Sequence, residues 1–263
     1  MAVELHGVEV RYGDRVAVDG LDLRVGAGEH VAVIGPSGAG KSTLIRLLNG
    51  TAAPSAGSVR VLGAELADSS ARALRGVQRR IGTVNQQFDL VGELRVVHNV
   101  NAGRLGEWSL WRSVSSLLRP RGVDTARAAL DRVGLADRMS QRTSTLSGGE
   151  QQRVAIARVL VQRPALVLAD EPVASLDPAR GAEVVTLLHE VTRDTGATLL
   201  ASLHDVELAR RGFDRVLGMR AGRLLFDTTP AALTATMTDA LYDLAETPGV
   251  PPAPPRGPAR RRC

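Results

Sequence analysis

The order of apolar patterns along the chain predicts an α/β fold: a parallel central sheet, antiparallel strands ahead of it, and a helical segment inserted into it. Three observations point there. Residues 30–34, 165–169 and 197–201 are apolar almost throughout, the character of short strands buried on both faces. The stretches 42–49 and 179–194 have helical spacing and alternate with those runs. The first run opens directly onto Gly35-Pro36-Ser37-Gly38-Ala39-Gly40-Lys41-Ser42, a G-x-x-x-x-G-K-[ST] loop set between a strand and a helix.

Taken in order, residues 3–10 and 16–25 alternate apolar and polar as half-buried antiparallel strands do, with a turn expected at Asp19-Gly20. The run 30–34 follows, then the glycine loop and a helix that stops at Gly50. A Pro/Ser/Gly turn at 54–57 introduces a strand over 59–62, and another spans 81–84. Residues 88–163 are mostly helical and polar and are expected to form an inserted helical subdomain. The core then resumes with the strand at 165–169, the long helix, the strand at 197–201 and closing strands at 216–219 and 223–226. Residues 247–263 hold six of the 13 prolines and four arginines with no acidic residue, a composition that cannot bury a core.

Composition bounds the function. At 263 residues and 44% hydrophobic, the chain can bury a sizeable core. The formal net charge is +5, but four of those charges sit in the last stretch, so the rest is close to neutral and no nucleic-acid partner is expected. Cys263 is the only cysteine, which excludes an internal disulfide and a cysteine metal cage. No apolar run reaches the 18 or so residues of a membrane span, and the first residues do not read as a signal peptide. A cytoplasmic location is expected.

Of the 33 basic residues, Lys41 is the one lysine, and it falls inside the glycine loop. A compact ammonium suits a loop wrapped around β- and γ-phosphates, where a planar guanidinium does not. Backbone N–H groups and a helix N-terminus would cradle the phosphates, with Lys41 on the β/γ oxygens and Ser42 on Mg²⁺, and Thr43 just behind. A nucleoside triphosphate is therefore the expected ligand.

A second string, Leu146-Ser147-Gly148-Gly149-Glu150-Gln151-Gln152-Arg153, precedes a helical face of Val154, Ala157, Leu160 and Val161. It places Ser147 at a helix N-terminus, a site that favours an anion. With this string the chain resembles the ATP-binding subunits of ABC transporters, from about residue 3 to about 245. The resemblance implies a P-loop nucleoside-triphosphatase core with a RecA-like parallel sheet, ATP and Mg²⁺ as ligands, and a head-to-tail dimer. In that dimer Ser147, Gly148, Gly149 and Glu150 of one copy complete the ATP site of the other. It also implies membrane permease subunits as partners and, through them, a substrate-binding protein.

The remaining family positions follow residue by residue. Asp170 ends an apolar strand and would hold Mg²⁺ through water, and Glu171 would polarise the attacking water. Ser175-Leu176-Asp177 resembles the loop that passes between the two sites, although Asp177 is equally compatible with a plain helix N-cap. His204, after the strand 197–201, resembles the histidine that contacts the γ-phosphate. Gln86 resembles the glutamine that senses Mg²⁺ and water; Gln87 is adjacent, and the spacing to Gly82 favours Gln86. Tyr12 resembles the aromatic that stacks on adenine.

Beyond the core, the string from Gln86 to Val91, the insert from Leu105 to Arg112 with Trp108 and Trp111, and the segments 171–178, 202–206 and 240–244 are similar to the phosphonate-importer branch. The resemblance implies an ATPase docked on the cytoplasmic face of the cell membrane, driving uptake of phosphonates or related phosphorus oxyanions. An ATPase serving an amino-acid, phosphate or lipoprotein system is the near alternative. A soluble ATPase of a phosphonate-degradation complex is the one from another class. Relatives that act on DNA carry zinc cysteines or long coiled coils, and this chain has neither.

Overall fold

The computed structural model describes residues 1–67, 69–86, 88–106, 122–174 and 176–243. Trp108, Trp111, Ser175, Gln87 and the proline/arginine stretch lie outside them. Strands β1 (Val3–Tyr12), β2 (Arg15–Val25), β4 (Ala56–Val61) and β5 (Ala64–Glu65) make an antiparallel sheet in the order β2-β1-β4-β5. A six-stranded sheet has the order β10-β9-β3-β8-β7-β6. It is built from β3 (His30–Ile34), β6 (Ile81–Asn85), β7 (Leu166–Asp170), β8 (Thr198–Leu203), β9 (Arg215–Arg220) and β10 (Arg223–Thr228). Strands β9-β3-β8-β7-β6 run parallel, and β10 closes the edge antiparallel to β9.

The uninterrupted apolar runs are explained by two cores, one on each face of this sheet. Val31, Val33, Leu166, Leu168 and Leu200 face the antiparallel sheet and helix α1 (Lys41–Leu48). Ala32, Ile34, Val167, Ala169, Leu199 and Ala201 face the helical layer. That layer holds α3 (Val96–Asn101), α4 (Val123–Arg132), α5 (Gly148–Gln162), α6 (Pro178–Thr195), α7 (Val206–Ala209) and α8 (Ala235–Tyr242). Each fully buried Leu or Val contributes about 2 kcal/mol by burial, so neither face leaves room for alternation with polar residues.

Two expectations need correction. The turn at Asp19-Gly20 is a bulge: β2 continues through it, Gly20 takes φ 59°, and the Asp19 N–H donates to the Gly222 carbonyl at 2.9 Å. The loop after β5 contains helix α2 (Ala71–Gln78), capped by Ser70, which sequence reading did not anticipate. It is only two turns long with Gly76 inside it, and its apolar face is Leu74 and Val77 alone, too short a pattern to mark a helix. Within 88–163 the described residues form α3, α4, α5 and single 3₁₀ turns. Among the described residues, no helix is long and apolar enough to cross a membrane.

The parallel register matters most for function. Ile34 pairs Leu203, Asp170 pairs Ser202, and Asn85 pairs Asp170, so the C-terminal ends of four strands lie along one edge. The residues that follow them (Gly35, Gln86, Glu171 and His204) are thereby delivered to one side of the sheet, where open α/β folds bind ligands.

Candidate active site

The glycine loop is clamped by its surroundings. Gly35 has φ +152°, and a Cβ there would fall 2.1 Å from the Met219 carbonyl oxygen of β9. Gly40 has φ +104°, and a Cβ would fall 2.5 Å from the Ala17 carbonyl oxygen of β2. The Gly222 N–H also donates to Ala39 O at 3.0 Å. Gly40 caps α1 with no side chain, and the helix has no acid in its first turn. Its leading N–H groups are left for a ligand, as an anion site requires.

Lys41 is 4% exposed, and its Nζ donates to Gly35 O at 2.7 Å and Pro36 O at 3.2 Å. Burial pulls its ammonium below the ordinary lysine value, against the opposing pull of Glu171 and Asp170. A buried cation held mainly by neutral carbonyls favours an arriving anion. It faces a cleft of about 300 Å³ lined by Tyr12, Arg15, Gly38 to Thr43, Arg46 and Glu171. Tyr12 stands at the end of β1 with half its surface exposed, so one ring face is available for stacking.

Ser202 organises the carboxylates. Its Oγ donates to Asp170 Oδ1 at 2.8 Å and accepts the Glu171 N–H at 2.8 Å. Ser42 Oγ donates to the same Asp170 oxygen at 3.0 Å. Glu171 takes φ +49°, a left-handed conformation unusual outside glycine, which turns its side chain into the cleft. Glu171 Oε1 lies 2.6 Å from His204 Nε2 and 3.9 Å from Lys41 Nζ. His204 is exposed just before α7, which Asp205 caps. By contrast, His30 and His189 form a buried stacked pair among core residues, and burial lowers the His189 pKa to about 4.

Asp170 and Ser42 supply hard oxygen donors suited to Mg²⁺. Among the described residues no three acids, histidines or cysteines cluster into a metal cage. The donor set fits an ion that takes its other ligands from phosphate and water.

The Leu146–Arg153 segment does not enter this cleft. Ser147 caps α5 in a reciprocal capping box with Glu150: Ser147 N–H and Oγ both donate to Glu150 Oε2 at 2.8 Å. Those bonds, first the backbone one, hold the Glu150 carboxyl below its ordinary range, and Arg138 adds to the effect. A Cβ on Gly148 would meet open space, so this helix terminus presents bare backbone outward. Asp177 caps α6 through the Arg180 N–H at 3.0 Å, and shares a separate cavity with Glu171 and His204. Gln86 is exposed in the turn after β6 and does not line the phosphate cleft. One chain therefore unites Gly35–Thr43 with Asp170, Glu171 and His204, and leaves Ser147–Glu150 and Gln86 apart from the cleft.

Sequence reading missed several neighbours. Ser202 is one of two hydroxyls, with Thr198 at the far end, in an otherwise apolar buried strand, a signal that was present. Arg158 of α5 donates to Phe88 O at 3.2 Å and Asp89 O at 2.8 Å, tying the segment after Gln86 to the helix that Ser147 caps. Arg15 and Arg46 give no sequence signal, yet both line the cleft. The Arg15 Nη2 lies 3.2 Å from where a Gly38 Cβ would stand. Replacing Arg15 by Ala should weaken binding of a nucleoside triphosphate about tenfold. The melting temperature without nucleotide should stay unchanged, because the side chain is exposed. Titration with a fluorescent ATP analogue reads the first, and an unaltered affinity would remove Arg15 from the site.

The profile of the ABC transporter family matches residues 18–174. The chain is 49% identical over 242 residues to a phosphonates import ATP-binding protein, PhnC, of Anaeromyxobacter dehalogenans, covering 92% of this chain and 48% of that one. It thus spans about half the length of that relative. A phosphonates import ATP-binding protein of Thiobacillus denitrificans is 47% identical, with 92% of each chain covered. Among solved structures, the dimeric post-hydrolysis state of the ATP-binding cassette MJ0796, bound to ADP and Pi, is similar with a TM-score of 0.73 and 28% identity. That match covers 87% of this chain and 98% of the other.

Proposed function

The chain belongs to the ABC transporter family, and from that premise we propose that it is the ATP-hydrolysing subunit of a bacterial importer for phosphonates or related phosphorus oxyanions. The observation that carries the reading is the meeting of Lys41, Ser42, Asp170, Glu171 and His204 on one sheet edge, in a chain so similar to phosphonate-import ATPases. Residues 1–245 form the ATP-binding domain in this reading, with 88–163 as its inserted helical subdomain and 246–263 as a tail.

Gly35, Pro36, Ser37, Gly38, Ala39, Gly40 and Thr43 surround the phosphates, Tyr12 stacks on the base, and Lys41 neutralises the β/γ oxygens. Ser42 and Asp170 would hold Mg²⁺ together with water, Gln86 would join them once the turn after β6 moves over the cleft, and the ion would supply positive charge beside the phosphate oxygens. Glu171 accepts a hydrogen bond from the attacking water. His204, beside the same carboxylate, orients it and reaches the γ-phosphate. Positioning and electrostatics carry most of such a reaction, and these side chains supply both.

Ser147 to Glu150 stand away from the cleft with their backbone facing outward. A second copy in head-to-tail arrangement would bring them over the triphosphate, with Asp177 passing between the two sites. Closure on ATP and reopening after hydrolysis then switch a membrane permease between its two facings. The protein works at the cytoplasmic face of the membrane, and a substrate-binding protein delivers cargo on the other side.

The test is uptake by the ATPase reconstituted with its permease in vesicles. A labelled alkylphosphonate should enter on ATP addition and stimulate hydrolysis, while excess amino acid should not compete. Uptake of amino acid instead, or co-purification with lyase subunits and no permease, would overturn the assignment.

A further inference from the structure

Tyr242 begins a chain of contacts that runs through the reactive end of the site. Its Oη donates to the His204 carbonyl oxygen at 3.2 Å. The Gly35 backbone lies near enough to the phenol to favour its ionised form. From Gly35, the carbonyl oxygen holds Lys41 Nζ at 2.7 Å, Lys41 stands 3.9 Å from Glu171 Oε1, and that oxygen lies 2.6 Å from His204 Nε2. Tyr242 is the one member of this chain of contacts that comes from α8.

The phenol is held firmly. It ends α8, whose neighbour Leu241 is fully buried and whose Thr234 cap accepts the Met237 N–H at 3.2 Å. The Arg220 guanidinium of β9 donates to the carbonyls of Ala240 and Asp243, on either side of the phenol. Burial pushes the Tyr242 pKa up, the Gly35 backbone opposes this, and Asp205 adds to the rise. The hydroxyl stays protonated and available as a donor at neutral pH.

His204 needs such a support. It is exposed, it follows the last residue of β8, and its ring must sit within hydrogen-bond reach of Glu171. We propose that Tyr242 is a positioning residue for ATP hydrolysis, fixing the His204 backbone so that the imidazole holds Glu171 in its working orientation. This rests on the hydrolytic reading above. Loss of the hydroxyl frees the loop without touching the phosphate loop's own clamps, so the effect falls on turnover more than on nucleotide binding.

The test is Tyr242→Phe in the full-length chain, which keeps the ring and its packing. We expect kcat to fall about fivefold with KM and the melting temperature unchanged. In a His204→Ala background, the same substitution should produce no further loss, because Tyr242 acts through His204. An unchanged kcat, an equal additional loss in the His204→Ala background, or a change confined to the melting temperature would each overturn the proposal. A wild-type chain that hydrolyses no ATP would instead sink the underlying reading, which separates the two failures.

Discussion

Glu171→Gln should trap the protein as an ATP-bound dimer that hydrolyses at least about a hundredfold more slowly than wild type. The substitution is nearly isosteric. The amide oxygen can still sit against His204 Nε2, and the backbone bond from residue 171 to Ser202 Oγ is untouched. In the proposed mechanism, what disappears is the negative charge that polarises the attacking water. Removing that charge also relieves repulsion between residue 171 and the γ-phosphate, so ATP should bind at least as tightly as before. With hydrolysis blocked, nothing reopens the composite site, and the closed form accumulates. A sizing column run with Mg-ATP should give a dimer for the variant and a mixture for wild type. Should Glu171→Gln elute as a monomer with ATP bound, Ser147 to Glu150 are not completing a partner's site.

The sheet edge that carries Glu171 was largely legible in the sequence. Residues 30–34 and 165–169 could read as continuous apolar runs only because both faces of β3 and β7 are covered, and that burial is dictated by side-chain chemistry. Glycine and lysine at fixed spacing similarly announce a loop with unusual φ values and a buried cation. Contacts made by the fold alone were not legible. Tyr242 and Arg15 reach the site from opposite ends of the chain, and nothing local distinguishes either from a surface residue. Arg158 lies on a helix whose apolar face was visible, but its role depends on carbonyls some 70 residues away. Helix α2 escaped notice for a different reason, since two turns carrying Leu74 and Val77 around Gly76 give too short a pattern to tell from a loop.

Lys41→Arg should abolish turnover although it preserves the charge, and the geometry of the loop is the reason. The ammonium is 4% exposed and fits between the carbonyls of Gly35 and Pro36. A guanidinium is wider and planar, and room for it would require the loop to expand. Expansion is blocked on both sides, because Gly35 already lies against the Met219 carbonyl and Gly40 against that of Ala17. Overpacking of this kind costs about 1–3 kcal/mol, so Lys41→Arg should melt several degrees lower than wild type without nucleotide. Lys41→Ala makes the contrast. It removes a buried charge whose desolvation is only partly compensated, so without nucleotide its melting temperature should equal or exceed that of wild type. Both variants should lose the stabilisation that Mg-ATP gives wild type, a shift that grows with ligand concentration when binding is intact. Normal turnover by Lys41→Arg would mean that the loop yields more readily than its packing implies, and that charge alone, without the compact shape of lysine, suffices to hold the triphosphate.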